Sequence, residues 1–304
     1  MPRIHIQSFI NSRLGYALGR SLSLLPPSAG YALAHQVGNW IASRKRSPMV
    51  RAVRANQWVL HGCRLSASEL DRQVASTFRH TARSLYEFWH FHRDPAAVRK
   101  MVKFDSSFVE CFERARQAQS GLLVVVPHLS NFDLVGRAAV LHGYPLHILS
   151  YPDPPAAYRW QNSLRALPGL TITPLSISAL NLASKTLRSG GTVVTGVDRP
   201  LPADEAKYLP RFLGRPARLP VFHIRLALKH NLPVVVVGGC LQPCGRYQVW
   251  ASEPIPMIRN ADLVQEIVQN AEAVLAVLAE FIQKASDQWA MFYPVWREAL
   301  DEMP

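Results

Sequence analysis

Hydrophobic side chains in the first third of the chain recur every three or four residues, which is the spacing of amphipathic helices. This spacing predicts helices from residue 6 to about residue 92. Two consecutive prolines, Pro26 and Pro27, end the first helix and can begin the second, because proline suits a first helical turn. A third helix is predicted over about 48–60, and a capping box that starts at Ser66 predicts a long fourth helix.

The pattern changes at Gly121, where short β-branched runs begin to alternate with helical periods. Strands are predicted at 121–126, 146–150, 171–173, 192–197, 233–239 and 246–251, and helices at about 131–142, 155–166, 176–189, 220–230 and 260–285. This alternation indicates an α/β fold with a mostly parallel central sheet flanked by helices. The last strand is predicted to add an antiparallel edge. We therefore expect a helical region at 1–105 and an α/β region at 106–304, packed together as one compact domain.

The motif with the most chemical content follows the first predicted strand. A valine run ends at Pro127, and His128 and Asp133 follow at the spacing H-x4-D. His128 is expected in the loop at the carboxyl end of a strand, where open α/β sheets place their ligands. Asp133 is expected in the first turn of the next helix, where the helix dipole favours a carboxylate. An imidazole beside a fixed carboxylate can deprotonate a hydroxyl, while Asn131 is expected to cap the helix or to donate to an oxyanion.

The position of this motif carries more weight than its spacing. With 11 histidines and 21 acidic residues in the chain, about one H-x4-[D/E] match arises by chance. The alternative without catalysis is that His128 is a structural histidine that caps a loop. This match lies between a predicted strand and a predicted helix, and further predicted strands and charged residues follow it, which favours the catalytic interpretation.

Further charged residues follow the later strands and loops. Asp198 and Arg199 end the fourth predicted strand, so Asp198 is expected at the same sheet edge as the histidine, where it could orient the imidazole or bind the acceptor. Arg165 suits either a bidentate phosphate contact or the C-terminal end of its own helix. Arg215 and Arg218 precede a predicted helix N-terminus, which is a suitable place to bind an anion. Arginines are also common in loops that bind nothing.

Positive charge is concentrated at the N-terminus. The formal net charge is +13 and the pI is about 10.0, which points to anionic partners. No acidic residue precedes Glu69, whereas nine basic residues do. These are Arg3, Arg13, Arg20, Arg44, Lys45, Arg46, Arg51, Arg54 and Arg64. Contact with anionic lipid headgroups ranks first and a solvated basic face second. Nucleic acid ranks third and is not expected as a partner, since no nucleic-acid-binding motif is present.

Several classes of protein and site are disfavoured by what the sequence lacks. Four cysteines are too few for a disulfide framework, and the pair at 240 and 244 has no partner at zinc-ligand spacing, so we expect reduced thiols and no metal. No G-x-S-x-G elbow, Walker A loop or G-x-G-x-x-G motif occurs, which disfavours a serine hydrolase and nucleotide binding. No apolar run reaches the length of a transmembrane helix, so none is expected.

With these residues the chain resembles the bacterial lysophospholipid acyltransferase superfamily. Within it, the chain is similar to the late (lauroyl or myristoyl) acyltransferases of lipid A biosynthesis and to the phosphatidylinositol mannoside acyltransferases. The resemblance spans nearly the whole chain, and its specific part is the string PHLSNFD. GVD and FLGRPARLP add support. It implies a glycerolipid acyltransferase-like fold with His128 as the base, Asp133 as its orienting carboxylate, and Arg165 and Asp198 as active-site partners. The lipid A enzymes usually carry glutamate where this chain has Asp133, and many begin with a membrane span that this sequence does not show.

The resemblance implies an O-acyltransferase that is attached peripherally to the inner face of the cytoplasmic membrane. A fatty acyl group would pass from an acyl carrier protein or coenzyme A thioester to a hydroxyl of an anionic lipid or glycolipid, with no metal or other cofactor. Backbone N–H groups at the helix start would stabilise the oxyanion. The candidate substrate-binding residues are Asn131, Arg165, Asp198 and Arg199.

Two other classes of function fit the same residues. A non-enzymatic basic protein could bind membranes or nucleic acid, with the H-x4-D spacing accidental. A thioesterase or lipid hydrolase could use the same histidine to activate water. Dependence of acyl release on an acceptor lipid discriminates these classes from an acyltransferase.

Overall fold

The computed structural model describes residue 21 and residues 24–152, 164–202 and 204–304. The described chain is an α/β fold in which a mostly parallel seven-stranded sheet is flanked by helices, and its N-terminal part is helical. The predicted fold class is therefore confirmed. The predicted helix before Pro26 and most of the predicted helix 155–166 lie outside the described residues.

The helices are numbered here in chain order. They are α1 (Pro27–Ala42), α2 (Pro48–Leu60), α3 (Ala67–Phe91), α4 (Pro95–Met101), α5 (Ser106–Gln117), α6 (Phe132–Leu141), α7 (Ile177–Arg188), α8 (Phe222–His230), α9 (Leu263–Gln283) and α10 (Ala299–Glu302). Helix α3 begins with the predicted capping box, in which the side chain of Ser66 accepts from the Glu69 amide and the Glu69 carboxylate accepts from the Ser66 amide. None of the described helices is both long and apolar enough to cross a membrane.

The sheet has the strand order β1-β9-β8-β2-β5-β3-β4. Its strands are β1 (Val102–Phe104), β2 (Leu122–Val126), β3 (Leu146–Ser150), β4 (Leu170–Pro174), β5 (Thr192–Gly196), β8 (Val234–Leu241) and β9 (Tyr247–Ala251). Strands β4, β3, β5, β2 and β8 are parallel, and β9 is antiparallel to β8. A separate two-stranded hairpin is formed by β6 (Arg211–Phe212) and β7 (Arg215–Pro216).

The central strands are buried on both faces, which explains their unbroken apolar sequences. Because side chains alternate along a strand, Leu123 and Val125 point to one side of the sheet and Leu122 and Val124 to the other. The first side packs against α7, α8 and α9, and the second packs against α5 and α6. All four of these strand residues are at most 6% exposed.

The predicted antiparallel pairing of the last strand is confirmed, but its place at the edge of the sheet is wrong. Strand β1 lies outside β9 and pairs with it in parallel, with Val102 opposite Tyr247. Three residues are too few to show a strand period, so the sequence pattern does not reveal this strand.

Candidate active site

Two neighbouring parallel strands bring the central residues of the site together. Strands β2 and β5 pair in register, with Val126 opposite Gly196. Because both strands end at the same edge of the sheet, the residues that follow them, His128 and Asp198, lie side by side. This is the edge at which α/β sheets bind their ligands.

His128 makes two hydrogen bonds to the Asp198 carboxylate. Its ring Nδ1 lies 2.6 Å from Oδ1, and its backbone N–H donates to Oδ2 at 2.8 Å. An ionised carboxylate only accepts hydrogen bonds, so Nδ1 carries a proton in either protonation state, and in the neutral form of the imidazole Nε2 keeps its lone pair. The His128 side chain is 27% exposed, whereas that of Asp198 is completely buried. The Nδ1 side of the imidazole is therefore fixed by a buried carboxylate while part of the side chain stays exposed, which is an arrangement that suits a general base.

The indole of Trp289 completes the surroundings of Asp198. Trp289 Nε1 donates to Oδ2 at 2.8 Å, and the Trp289 side chain is buried. Complete burial on its own raises the pKa of the Asp198 carboxyl, but the adjacent imidazole and the hydrogen bonds of His128 and Trp289 outweigh it. The pKa of Asp198 consequently lies below its ordinary value, and the carboxylate stays charged beside the imidazole.

Asp133 has a different partner from the one that the H-x4-D spacing predicts. It lies in the first turn of α6, and its Oδ1 and Oδ2 are 2.7 and 2.9 Å from Arg165 Nη2. Both side chains are at most 12% exposed. Asp198, and not Asp133, is the carboxylate at Nδ1 of His128. The spacing brings His128 and Asp133 to the same cavity, but the guanidinium of Arg165 offers the Asp133 carboxylate a full positive charge.

Asn131 caps helix α6 and does not line the cavity beside His128. Its Oδ1 accepts from the Leu134 amide at 3.2 Å, and its Nδ2 donates to the Ser84 carbonyl at 3.0 Å. The side chain is 3% exposed. Of the two roles expected for Asn131, capping is the one that the structure shows. The cap fixes where α6 begins, and thus where its first amides lie relative to His128.

The loop between β2 and α6 is fastened to the segment that follows α9. The Ser130 amide donates to the Gln288 carbonyl at 2.8 Å, and the Ala290 amide donates to the His128 carbonyl at 2.8 Å. Ser130 has a φ of 56°, a left-handed conformation that is uncommon outside glycine. Such a conformation persists where the surrounding structure holds it, and it often occurs at functional sites.

Gly196 lets the imidazole of His128 pack directly against strand β5. A Cβ at position 196 would lie 3.0 Å from Cε1 of His128, which is shorter than an ordinary contact. The backbone of Gly196 is not in the left-handed region. Glycine is therefore favoured here by the close approach of the ring, and not by backbone conformation.

An apolar cavity of about 250 Å³ opens beside His128 and extends between the sheet and helices α5 and α6. The apolar side chains that line it include Phe112, Val124, Val126, Val135, Ala139 and Ile148. Asp133, Arg165 and Arg199 line the same cavity as His128. One cavity thus combines the His128 imidazole and several charged side chains with a lining that is mainly apolar.

The bacterial lipid A biosynthesis acyltransferase family matches residues 2–298 of the chain. The chain belongs to this family. Comparison with curated proteins gives no significant match. Family membership makes the protein an acyltransferase enzyme that acts on a lipid acceptor with an acyl thioester donor, and it confirms the lipid A branch of the resemblance.

The remaining predicted residues of this acyltransferase have varied surroundings. Arg199 lies at the cavity, where its Cζ is 3.7 Å from the ring centroid of Tyr151 and 4.2 Å from that of Tyr293. Arg215, which is predicted to help form an anion site, pairs with Glu302 at 2.8 Å. The described residues contain no cluster of three or more metal-ligating side chains, and all four cysteines are free thiols.

Three further residues of this acyltransferase that contact the predicted ones, Trp289, Tyr151 and Tyr293, are not revealed by the sequence pattern. None belongs to a recognisable motif, and Trp289 and Tyr293 come from a segment remote in sequence from the H-x4-D box. The available signal for Trp289 was indirect, since a buried carboxylate requires additional donors.

Proposed function

We propose that this acyltransferase moves a fatty acyl group from a thioester of acyl carrier protein or coenzyme A to a hydroxyl of a membrane lipid or glycolipid, with His128 as general base. One observation carries the proposal. Nδ1 of His128 is held by a buried carboxylate, while the same imidazole lines a cavity with an apolar interior. A base at the polar part of a hydrocarbon-lined cavity suits an acyl chain that carries its reactive carbonyl at one end.

In the proposed reaction the acceptor oxygen attacks the thioester carbonyl carbon as Nε2 of His128 takes the hydroxyl proton. The C–O bond forms, the C–S bond breaks, and the proton passes from the imidazolium to the leaving thiolate. Asp198 keeps the productive tautomer and stabilises the imidazolium while it exists. The protein then returns to its starting state without an acyl-enzyme intermediate, and no metal or other cofactor takes part.

The amides at the start of α6 are the proposed donors to the oxyanion. The Phe132 amide forms no hydrogen bond with other described residues, because the cap uses the amide of Leu134 instead. Phe132 also lines the cavity. The positive end of the helix dipole adds to the effect. A well-placed donor of this kind lowers the barrier by about 3–4 kcal/mol.

The ion pair of Asp133 and Arg165 is proposed to shape the polar part of the cavity. Both residues line the cavity, and the pair joins α6 to the segment that precedes β4. In this role Asp133 places the first turn of α6, and Arg165 adds positive charge where a substrate enters.

We also propose peripheral attachment to the inner face of the cytoplasmic membrane through the corner between α1 and α2. Trp40 at this corner is 51% exposed, and the guanidinium of Arg44 lies 4.8 Å from its ring centroid. Lys45 and Arg46 follow directly. An exposed indole beside a cluster of cations suits an anionic lipid interface. Sedimentation with anionic vesicles should therefore decrease in a Trp40→Ala variant, and equal sedimentation with neutral vesicles would contradict the proposal.

The decisive experiment is thiol release from an acyl thioester, with and without a panel of lipid acceptors. The wild type should release thiol only when an acceptor is present, and His128→Ala should abolish this release. His142→Ala is a matched control, because His142 is exposed at the far end of α6. Release that does not require an acceptor would instead indicate a thioesterase. Undiminished turnover in His128→Ala would refute the assignment of the base.

A further inference from the structure

We propose that Arg199, with Tyr151 and Tyr293 packed against it, is a binding site for a phosphate group of a substrate. This proposal rests on the proposed function, because it places the phosphate next to the reacting groups of the acyl transfer. Arg199 directly follows Asp198 in the chain, and it lines the same cavity as His128. An anion bound by Arg199 would therefore belong to a molecule already placed at the base.

The two tyrosines fix the guanidinium without consuming its hydrogen bonds. The distance from Cζ to the Tyr151 ring centroid is 3.7 Å, which is that of a planar group stacked on a ring, and Tyr293 packs at 4.2 Å. Among the described residues, Arg199 has no hydrogen-bond or ion-pair partner for its side chain. A guanidinium carries five N–H donors in its plane, and ring contacts through its faces leave those donors available.

Among the described residues that line the cavity, Arg199 is the cation without a carboxylate partner. Asp133 is paired with Arg165, and the Asp198 carboxylate is satisfied by His128 and Trp289. Glu205 also lines the cavity, but it is exposed and forms no ion pair with the described residues. A stacked, immobilised guanidinium binds a phosphate in bidentate fashion with little loss of side-chain freedom.

A purely structural role is the competing explanation for this cluster. Tyr151 follows β3, Arg199 follows β5, and Tyr293 belongs to the segment after α9, so the stack joins three parts of the chain. A structural role predicts that substitution of Arg199 lowers the melting temperature and leaves anion binding unchanged. A phosphate site predicts the loss of anion binding at temperatures where the variant is folded.

The first experiment measures binding of inorganic pyrophosphate to the purified chain by calorimetry, without turnover. Arg199→Gln should weaken binding about tenfold or more, as expected for the loss of charge-assisted hydrogen bonds. Arg199→Lys keeps the positive charge but loses the planar, bidentate guanidinium, so it should also bind pyrophosphate more weakly than the wild type. Arg225→Gln is the matched control. Arg225 also contacts a tyrosine, Tyr208, but it is exposed and lies outside the cavity lining.

The second experiment identifies which substrate carries the phosphate. KM is measured for acyl coenzyme A against an acyl pantetheine without phosphates, and for a lipid acceptor with and without its phosphate groups. If the donor supplies the phosphate, Arg199→Gln raises only the KM for acyl coenzyme A. If the acceptor supplies it, only the KM for the phosphorylated acceptor rises.

Undiminished pyrophosphate binding in folded Arg199→Gln would overturn the proposal. Because pyrophosphate binding requires no catalysis, this result would leave the acyltransferase function untouched. Conversely, loss of turnover in His128→Ala with normal pyrophosphate binding would show that the phosphate site exists independently of the base.

Discussion

A single methyl group added at position 196 tests whether the position of His128 governs the rate. In Gly196→Ala the new Cβ would lie 3.0 Å from Cε1 of His128, whereas ordinary contacts begin at 3.4 Å. The ring must therefore move by about 0.4 Å. It cannot move freely, because its Nδ1 and its backbone amide are both bonded to Asp198. The displacement falls mainly on Nε2, the atom proposed to take the proton.

The expected decrease in kcat follows from the size of this displacement. Misplacement of a reacting group by about 1 Å can cost about 100-fold in rate, so a shift of a few tenths of an ångström should lower kcat about tenfold. Stability should change little, because Gly196 lies in a strand with an ordinary backbone conformation that alanine can adopt. The variant thus separates the position of the base from the integrity of the fold.

The assay is the initial rate of acceptor-dependent thiol release, together with the melting temperature of each variant. Gly136→Ala is the matched control, because its Cβ would meet Ile148 Cδ1 at 3.9 Å, an ordinary contact. Gly136 lines the cavity, so the comparison uses a short-chain donor. If folded Gly196→Ala has the kcat of the wild type, the position of the His128 ring against β5 does not determine the rate of acyl transfer.

Three other predictions concern the buried polar groups. Asp198→Asn should lower kcat about 10³–10⁴-fold through loss of the productive tautomer, and steady-state kinetics showing a near-normal rate would contradict the dyad. Trp289→Phe removes one hydrogen bond to a charged carboxylate and should lower kcat/KM about tenfold or more; the pairing is refuted if folded protein keeps full efficiency. Burial lowers the pKa of His223 from 6.5 to about 3, so the unfolded chain binds an extra proton between these values, and stability falls as the pH drops through this window. Between pH 6.5 and 5 the wild type should lose about 2 kcal/mol more than His223→Leu in denaturant unfolding, and equal losses would show that His223 is not buried in its neutral form.

The strand pattern and the position of His128 at the sheet edge could be predicted from the sequence because both depend on local signals. The valine run before Pro127 marks a strand that is buried on both faces, and the position of His128 directly after it places the imidazole at the ligand-binding edge. The capping box of α3 is equally local.

The sequence does not specify which carboxylate bonds to His128, because this depends on strand order. Asp133 is near His128 in the sequence, whereas Asp198 is near it only because β5 lies next to β2 in the sheet. Chain order does not specify that adjacency, since β3 and β4 come between the two strands in sequence. The contribution of Trp289 depends on still more remote packing.

The backbone hydrogen bonds between the His128 loop and the segment after α9 affect when activity can begin during synthesis of the chain. When the ribosome has released the chain as far as α9, His128 and Asp198 have already emerged. The indole that donates to Asp198 and the backbone that bonds to His128 have not. We expect such a nascent chain to be able to form its sheet while remaining catalytically silent. Activity would begin only when residues 288–290 emerge and dock, so that acyl transfer starts later than the formation of the sheet.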